Sequence, residues 1–223
     1  MATAFDRISA TSVKGICYRS GSLYGIAEDG IVMISPSTGL VTSKLSEVGG
    51  HAIAYDDTMD LFLVAGRMLG NSVVFSVSPS GQISGIVVSQ FFHGIAYNMG
   101  FLYGCSDNGL FKITVSDGTT ARLSGVSGRD TAICGTDLYV SDPGAGIWTC
   151  DITTGAITAV FDELECQALG YDIDNQKLWA SEIGGLYSIA CASGGGGGPS
   201  SDSWVFIGPD NHHWIGGDNA IWI

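Results

Sequence analysis

The chain has 223 residues, with 22 acidic and 9 basic side chains and a formal net charge of −13. Phosphate backbones and anionic membranes both attract basic surfaces, so this charge argues against a nucleic-acid partner and against binding to anionic lipid. No apolar run approaches the length that spans a bilayer, which argues against membrane insertion.

A short apolar motif with a central aromatic side chain recurs six times, at intervals of about 35 to 41 residues. Its copies begin at Leu23, Leu61, Leu102, Leu138, Leu178 and His213. This period is typical of a β-propeller, in which each repeat forms a blade of four short strands. The sequence therefore predicts an all-β fold, a six-bladed β-propeller forming a single domain over 1–223. The predicted repeats are roughly 10–46, 47–88, 89–125, 126–164, 165–202, and 203–223 plus 1–9.

The third repeat shows how one blade is encoded. Residues 93–97 alternate small and β-branched side chains, which suits an innermost strand, and 102–106 predict the second strand. Asp107-Asn108-Gly109 predicts a hairpin turn, because Asn and Gly tolerate positive φ. Residues 110–115 and 120–123 predict the third and outer strands. No stretch has a sustained helical period, so we expect little or no helix.

The two ends of the chain predict how the ring closes. The last repeat supplies only three strands, and residues 3–8 resemble 158–162, the outer strand of the fourth repeat. We expect the N-terminal strand to complete the last repeat and close the ring. In the fifth repeat, the glycine-rich residues 194–203 replace the outer strand. They predict either a flexible loop or an open blade edge that accepts a strand from a partner.

The six cysteines show no CxxC spacing and do not recur at one repeat position. This pattern favours buried thiols in a reducing compartment over disulfides or a cysteine metal site. The first residues lack a basic region followed by an apolar core, so we expect no secretory signal and cytoplasmic synthesis.

Aligning the innermost strands places one polar residue of each repeat in register. We call this set the collar: Lys14, His51, His93, Asp130, Gln167 and Ser203. Because innermost strands begin at one mouth of the central channel, we expect these side chains to ring that mouth. They predict a solvated or mutually hydrogen-bonded rim, a divalent-metal site at His51, His93 and Asp130, or a general base.

Two further sets are candidates for binding. Acidic residues occupy the turns between second and third strands, on the face expected to carry the collar: Glu28, Asp107, Asp142, Glu182 and Asp218. They predict either a ring that attracts cations or simple turn formers. His212-His213-Trp214 could hold a sugar or a metal, or belong to a turn and a blade core. The common catalytic sequence patterns are absent.

The repeats resemble the six-bladed propellers built from NHL and YWTD units. The resemblance rests on Gly94-Ile95-Ala96-Tyr97 followed by Leu102-Tyr103-Gly104, and on Leu138-Tyr139-Val140-Ser141-Asp142. Some members of that wider superfamily are calcium-dependent lactonases, with acidic and Asn ligands in the channel. Here the collar carries Lys and His instead, which departs from that pattern.

Three functions remain open at this point. The favoured one is a non-enzymatic interaction or structural module, a protein subunit of a larger assembly such as a virion or phage tail. Low charge and the open fifth blade favour it. The alternatives are a carbohydrate-binding propeller, with a glycan as partner, and a metal-dependent hydrolase or lyase working at the channel. We expect no cofactor unless a divalent cation binds at the collar.

Overall fold

The computed structural model describes residues 6–9, 13–27, 30–142, 144, 146–162, 166–182, 185–190, 204–207, 213–216 and 221–222. The described residues form antiparallel β-sheets joined by tight turns. None of their segments is a helix long and apolar enough to cross a membrane.

Four of the sheets are meanders of four strands that follow one another along the chain. The chain begins with a separate strand, β1 (Asp6–Ser9). Blade one contains β2 (Ile16–Arg19), β3 (Ser22–Ala27), β4 (Gly30–Ile34) and β5 (Val41–Ser46). Blade two contains β6 (Ala52–Asp56), β7 (Leu61–Met68), β8 (Asn71–Val77) and β9 (Ile83–Val88). Blade three contains β10 (Gly94–Asn98), β11 (Phe101–Ser106), β12 (Gly109–Thr114) and β13 (Thr120–Ser124). Blade four contains β14 (Asp130–Cys134), β15 (Asp137–Asp142), β16 (Gly146–Asp151) and β17 (Ile157–Asp162).

Blade five is completed by the N-terminal strand. Its consecutive strands are β18 (Ala168–Asp172), β19 (Lys177–Glu182) and β20 (Gly185–Ala190). The outer strand is β1, which pairs antiparallel with β20 through Asp6 opposite Ser188 and Arg7 opposite Tyr187. The N-terminal strand was expected to complete the last repeat, and that assignment is wrong. The open edge that was one of two alternatives for blade five is covered by β1 of the same chain.

The ring closes between blade five and blade one. Each innermost strand lies beside the innermost strand of the next blade, and β18 lies beside β2. The Tyr18 hydroxyl of blade one donates to Asp174 of blade five at 2.7 Å. The last repeat forms a separate three-stranded sheet of β21 (Trp204–Ile207), β22 (His213–Gly216) and β23 (Ile221–Trp222). The described strands thus show a propeller of five four-stranded blades, and the sixth blade is not confirmed.

The core lies between the blades, where the side chains of neighbouring sheets interdigitate. The aromatic side chains of the recurring motif are buried there: Tyr24, Phe62, Tyr103, Tyr139 and Trp179. The motif recurs because the second strand of each blade must contribute a large side chain to the core between neighbouring blades. No disulfide is present among the described residues.

Small residues let the innermost strands approach one another around the channel. A Cβ on Gly15 would lie 2.7 Å from the Cα atom of Ala52, and one on Gly170 would lie 2.7 Å from Cγ2 of Ile16. A Cβ on Gly94 would collide with the Cα and carboxylate atoms of Asp130. The blade-to-blade spacing at the channel therefore depends on missing side chains.

Replacing Gly94 by Ala tests this close approach. Because the added Cβ would meet the backbone of Asp130, we expect Gly94→Ala to lower the free energy of unfolding by about 2–3 kcal/mol. Gly85→Ala is the matched control, since a Cβ there has only the Ser76 Oγ near it, at 3.8 Å. Urea unfolding of both variants measures the difference, and equal stabilities would contradict the packing described here.

Candidate functional site

The collar residues lie where the innermost strands begin, at one mouth of the channel. Lys14 and Gln167 are exposed, His51 and His93 are half-buried, and Asp130 is buried. Ser203 lies outside the described residues. The described collar residues thus differ widely in their exposure to solvent.

His51 of blade two is bonded to blade three. Its Nε2 lies 2.6 Å from the carbonyl oxygen of Phe92, and because a carbonyl only accepts, this nitrogen carries the proton. The ring also packs on Phe91, with centroids 5.2 Å apart. Burial lowers the pKa of His51, with the positive charges of Lys14 and Arg67 acting in the same direction and the Phe92 bond opposing them. The neutral imidazole is favoured in the folded state.

His93 connects its own blade to blade four. Its Nε2 donates to Oδ1 of Asp107 at 2.8 Å, and an Arg129 guanidinium nitrogen lies 3.3 Å from Nδ1. The same guanidinium nitrogen lies 3.4 Å from Nε2, so it is almost equally distant from the two ring nitrogens. Phe91 packs edge-on against the ring, with centroids 4.7 Å apart. Both ring nitrogens of His93 are therefore engaged by protein groups.

Asp130 lies at the meeting point of three blades and is only 2% exposed. Its carboxylate accepts the backbone N–H of Leu169 from blade five at 2.8 Å and that of Thr131 at 2.8 Å. Blade three also lies against Asp130, since a Cβ on Gly94 would collide with Oδ1 of the carboxylate. Burial raises the pKa of Asp130, and these N–H donors oppose the rise. The carboxylate satisfies strand-edge N–H groups that face the channel.

The collar therefore fastens neighbouring blades. His51 bonds to the blade that follows its own, His93 lies against the following blade's Arg129, and Asp130 bonds to blade five. Within the part of the chain that the structure describes, no group of three or more His, Cys, Asp or Glu side chains is placed to hold a metal ion. His51, His93 and Asp130 have separate protein partners and do not converge on one point.

The acidic turn residues are only partly within the described structure. Asp107 lies beside the collar, bonded to His93, and Asp142 accepts the backbone N–H of Gly144 at 2.9 Å within its turn. Glu28, Asp218 and His212 lie outside the described residues, and the side chains of Glu182, His213 and Trp214 also fall outside them. Of the two acidic turn residues whose side chains the structure describes, Asp107 is bonded to the collar and Asp142 is not.

The opposite mouth opens into a cavity of about 750 Å³, which we call the funnel. Its narrow part is apolar, formed by Ile16, Ile53, Ile95, Ala132 and Leu169. Two residues further along the same strands, tyrosines from four blades line it: Tyr18, Tyr55, Tyr97 and Tyr171. The wide end is lined by turn residues that include Asp57, Met99, Ile173 and Asp174.

The tyrosine hydroxyls fasten this mouth as the collar fastens the other. Tyr97 of blade three donates to Thr58 of blade two at 3.2 Å, and Tyr18 of blade one donates to Asp174 of blade five. Burial and the bond to Asp174 raise the pKa of Tyr18 to about 12, so its hydroxyl keeps its proton at neutral pH. The rings are thus held at fixed positions around the funnel.

Arg19 and Asp60 form an ion pair beside these rings. A terminal guanidinium nitrogen lies 2.9 Å from Oδ1 of Asp60, which also accepts the Tyr55 hydroxyl at 2.6 Å. The Tyr55 bond, with Arg19 assisting, lowers the pKa of Asp60. The guanidinium lies over the Tyr55 and Phe62 rings, 5.5 and 5.9 Å from their centroids.

The four tyrosines that line the funnel are not among the candidates chosen from the sequence, although the sequence contains a signal for them. Tyrosine recurs four residues after the collar position in four of five aligned strands, and Cys134 stands there in the other. This regular recurrence is the signal that locates the four tyrosines in the sequence.

Similarity to solved structures shows the fold alone. The crystal structure of Myxococcus xanthus glutaminyl cyclase superposes with a TM-score of 0.63 at 11% identity, covering 85% of this chain and 94% of that one. A nidogen/laminin complex gives 0.56 at 14%, covering 75% and 71%. A Bacteroides thetaiotaomicron protein of unknown function gives 0.53 at 12%, covering 96% and 69%. No protein-family model matches the sequence. No curated protein matches it significantly.

Asp130→Asn tests the fastening of three blades. The amide keeps the volume but turns one acceptor oxygen into a donor that faces backbone N–H groups, so we expect the free energy of unfolding to fall by about 3 kcal/mol. Asp57→Asn, at an exposed position, is the control and should change it little. Urea unfolding measures both, and an unchanged Asp130→Asn variant would overturn the assigned role.

The lowered pKa of His51 predicts a dependence of stability on pH. Between its folded pKa and the ordinary value of about 6.5, the unfolded chain binds more protons, so stability falls as the pH drops through this range. His51→Gln keeps an N–H donor for Phe92 but does not titrate. We therefore expect wild type to lose more unfolding free energy than this variant between pH 8 and pH 5. Equal losses would contradict the prediction.

Proposed function

We propose that the chain is a non-enzymatic interaction module, a subunit of a larger protein assembly of the kind found in virions or phage tails. The observation that carries the proposal is the apolar character of the outer strands of blades two and four. Ile83 and Ile86 on β9, and Ile157 and Val160 on β17, are exposed. Val160 is 65% exposed and Ile86 is 56% exposed.

These outer strands lack the charges that usually protect a sheet edge. β9 contains no charged residue, and β17 contains only its final Asp162. By contrast, β5 carries Lys44 and β13 carries Arg122. Exposed strand edges without charge or proline associate readily, and clustered apolar side chains on a surface mark contacts with other proteins.

The contact proposed here uses side chains more than backbone. The register of β9 on β8 and of β17 on β16 shifts along each pair, and such irregularities twist an edge away from further strand pairing. An apolar surface of similar shape is then the fitting partner. We propose that this surface is the corresponding strand of a second copy, which makes the assembly at least partly self-associated.

Native mass tests the proposal. We expect the purified wild-type chain to sediment as a multimer of its 23.2 kDa subunit. Ile86→Lys combined with Val160→Lys should give monomers, because each change buries a charge in the interface. Ser43→Lys combined with Ala121→Lys places the same charges on the outer strands of blades one and three, and should leave the mass unchanged. A wild-type monomer at every concentration would contradict assembly through these strands.

A further inference from the structure

The funnel is a second surface with chemistry of its own, separate from the outer strands. Its volume of about 750 Å³ lies within the range of sites for small molecules. Its narrow part is lined by branched apolar side chains, and its middle by four tyrosines. Because the side chains of the narrow part are at most 3% exposed, the surface open to a ligand begins at the tyrosines.

The wall of the funnel already accommodates one cation. Arg19 lies over the Tyr55 ring at 5.5 Å and pairs with Asp60, so an aromatic face and a carboxylate share a positive group there. Aromatic rings attract cations through the negative potential of their faces, most strongly where water is partly excluded. The same combination, a tyrosine beside a carboxylate, recurs where Tyr18 bonds to Asp174.

The charges of the funnel favour a positive ligand. Arg19 and Asp60 neutralise each other, whereas Asp57 and Asp174 line the cavity without a cation bonded to them in the described structure. The Asp57 carboxylate accepts only a long 3.4 Å bond from the Thr58 hydroxyl, and Asp174 accepts the neutral Tyr18 hydroxyl. The charged residues of the described lining, Arg19, Asp57 and Asp174, have a net charge of −1, and Asp60 beside Arg19 makes the surroundings still more negative.

The rim favours a ligand that is also apolar. Met99 is 84% exposed and Ile173 is 69% exposed, and both line the wide end of the funnel. Such side chains in water beside an apolar cavity contact apolar parts of a ligand as it enters.

We propose that the funnel binds a small amphiphilic organic cation, an ammonium group on an apolar stem. The ammonium group lies at the level of the tyrosines, within reach of Asp57 and Asp174, and the stem lies against Met99 and Ile173 at the wide end. Apolar burial supplies affinity, and the tyrosine faces with the two carboxylates supply selection for positive charge. This site is independent of the assembly proposed above.

Calorimetric titration with three probes of equal stem length tests the charge selection. Hexyltrimethylammonium should bind, hexanol should bind about tenfold more weakly, and hexanoate more weakly still. Equal binding of hexanol and hexyltrimethylammonium would overturn the proposal. Absence of binding by hexyltrimethylammonium at millimolar concentrations would overturn it as well.

Variants of the carboxylates locate the site. Asp57→Asn and Asp174→Asn should each weaken hexyltrimethylammonium binding several-fold, and together about tenfold or more. Glu47→Gln removes an equal charge at an exposed position outside the funnel and should leave the affinity unchanged. Unaffected binding in the double variant would overturn the assignment of the carboxylates.

An NMR measurement on wild type keeps the test independent of variant folding. Methyl signals of Met99 and Ile173 should shift when hexyltrimethylammonium is added. Those of Ile86 and Ile157, on the outer strands, should not. Shifts confined to the outer strands would show that the probe binds elsewhere, and would overturn the proposal.

Discussion

The ring depends on how its innermost strands meet around a narrow channel. Each of these strands has one edge with no neighbour in its own sheet, and buried N–H groups on such an edge need an acceptor. Asp130 supplies that acceptor for blades four and five, through the N–H groups of Thr131 and Leu169. Gly94 leaves the space that the carboxylate occupies. One side chain and one missing Cβ thus set the spacing of three blades together.

Most of the strand order could be predicted from the sequence, because each repeat combines alternating side chains with turn residues at fixed offsets. The partner of the N-terminal strand could not. Both the fifth and the last repeat lack an outer strand of their own, so residues 3–8 had two possible edges to complete. Local pattern does not decide between them, since the choice depends on which blade meets β2 in space. The pairing of β1 with β20 leaves blade five packed directly on blade one.

The amount of the candidate site that the sequence could predict differs between the two mouths of the channel. Aligning strands places Lys14, His51, His93, Asp130 and Gln167 at the start of the innermost strands without knowledge of the fold's details. Their partners were not predictable, because Phe92 offers a backbone carbonyl and Arg129 comes from a loop that precedes the next strand. The four funnel tyrosines could be located without knowledge of their partners, because they recur at a fixed distance from the collar residues.

Different side-chain groups hold neighbouring blades together at the two mouths of the channel. This difference affects where a ligand can bind. At the collar, imidazole and carboxylate groups hold the blades together by the same atoms that would contact a metal or substrate, so binding there would compete with blade packing. At the funnel, hydroxyl groups at the ends of the tyrosines hold the blades, while their rings line the cavity. A ligand can therefore contact aromatic faces without displacing a bond that the ring of blades requires. The outer strands lie away from both mouths, so self-association and ligand binding can occur on the same molecule.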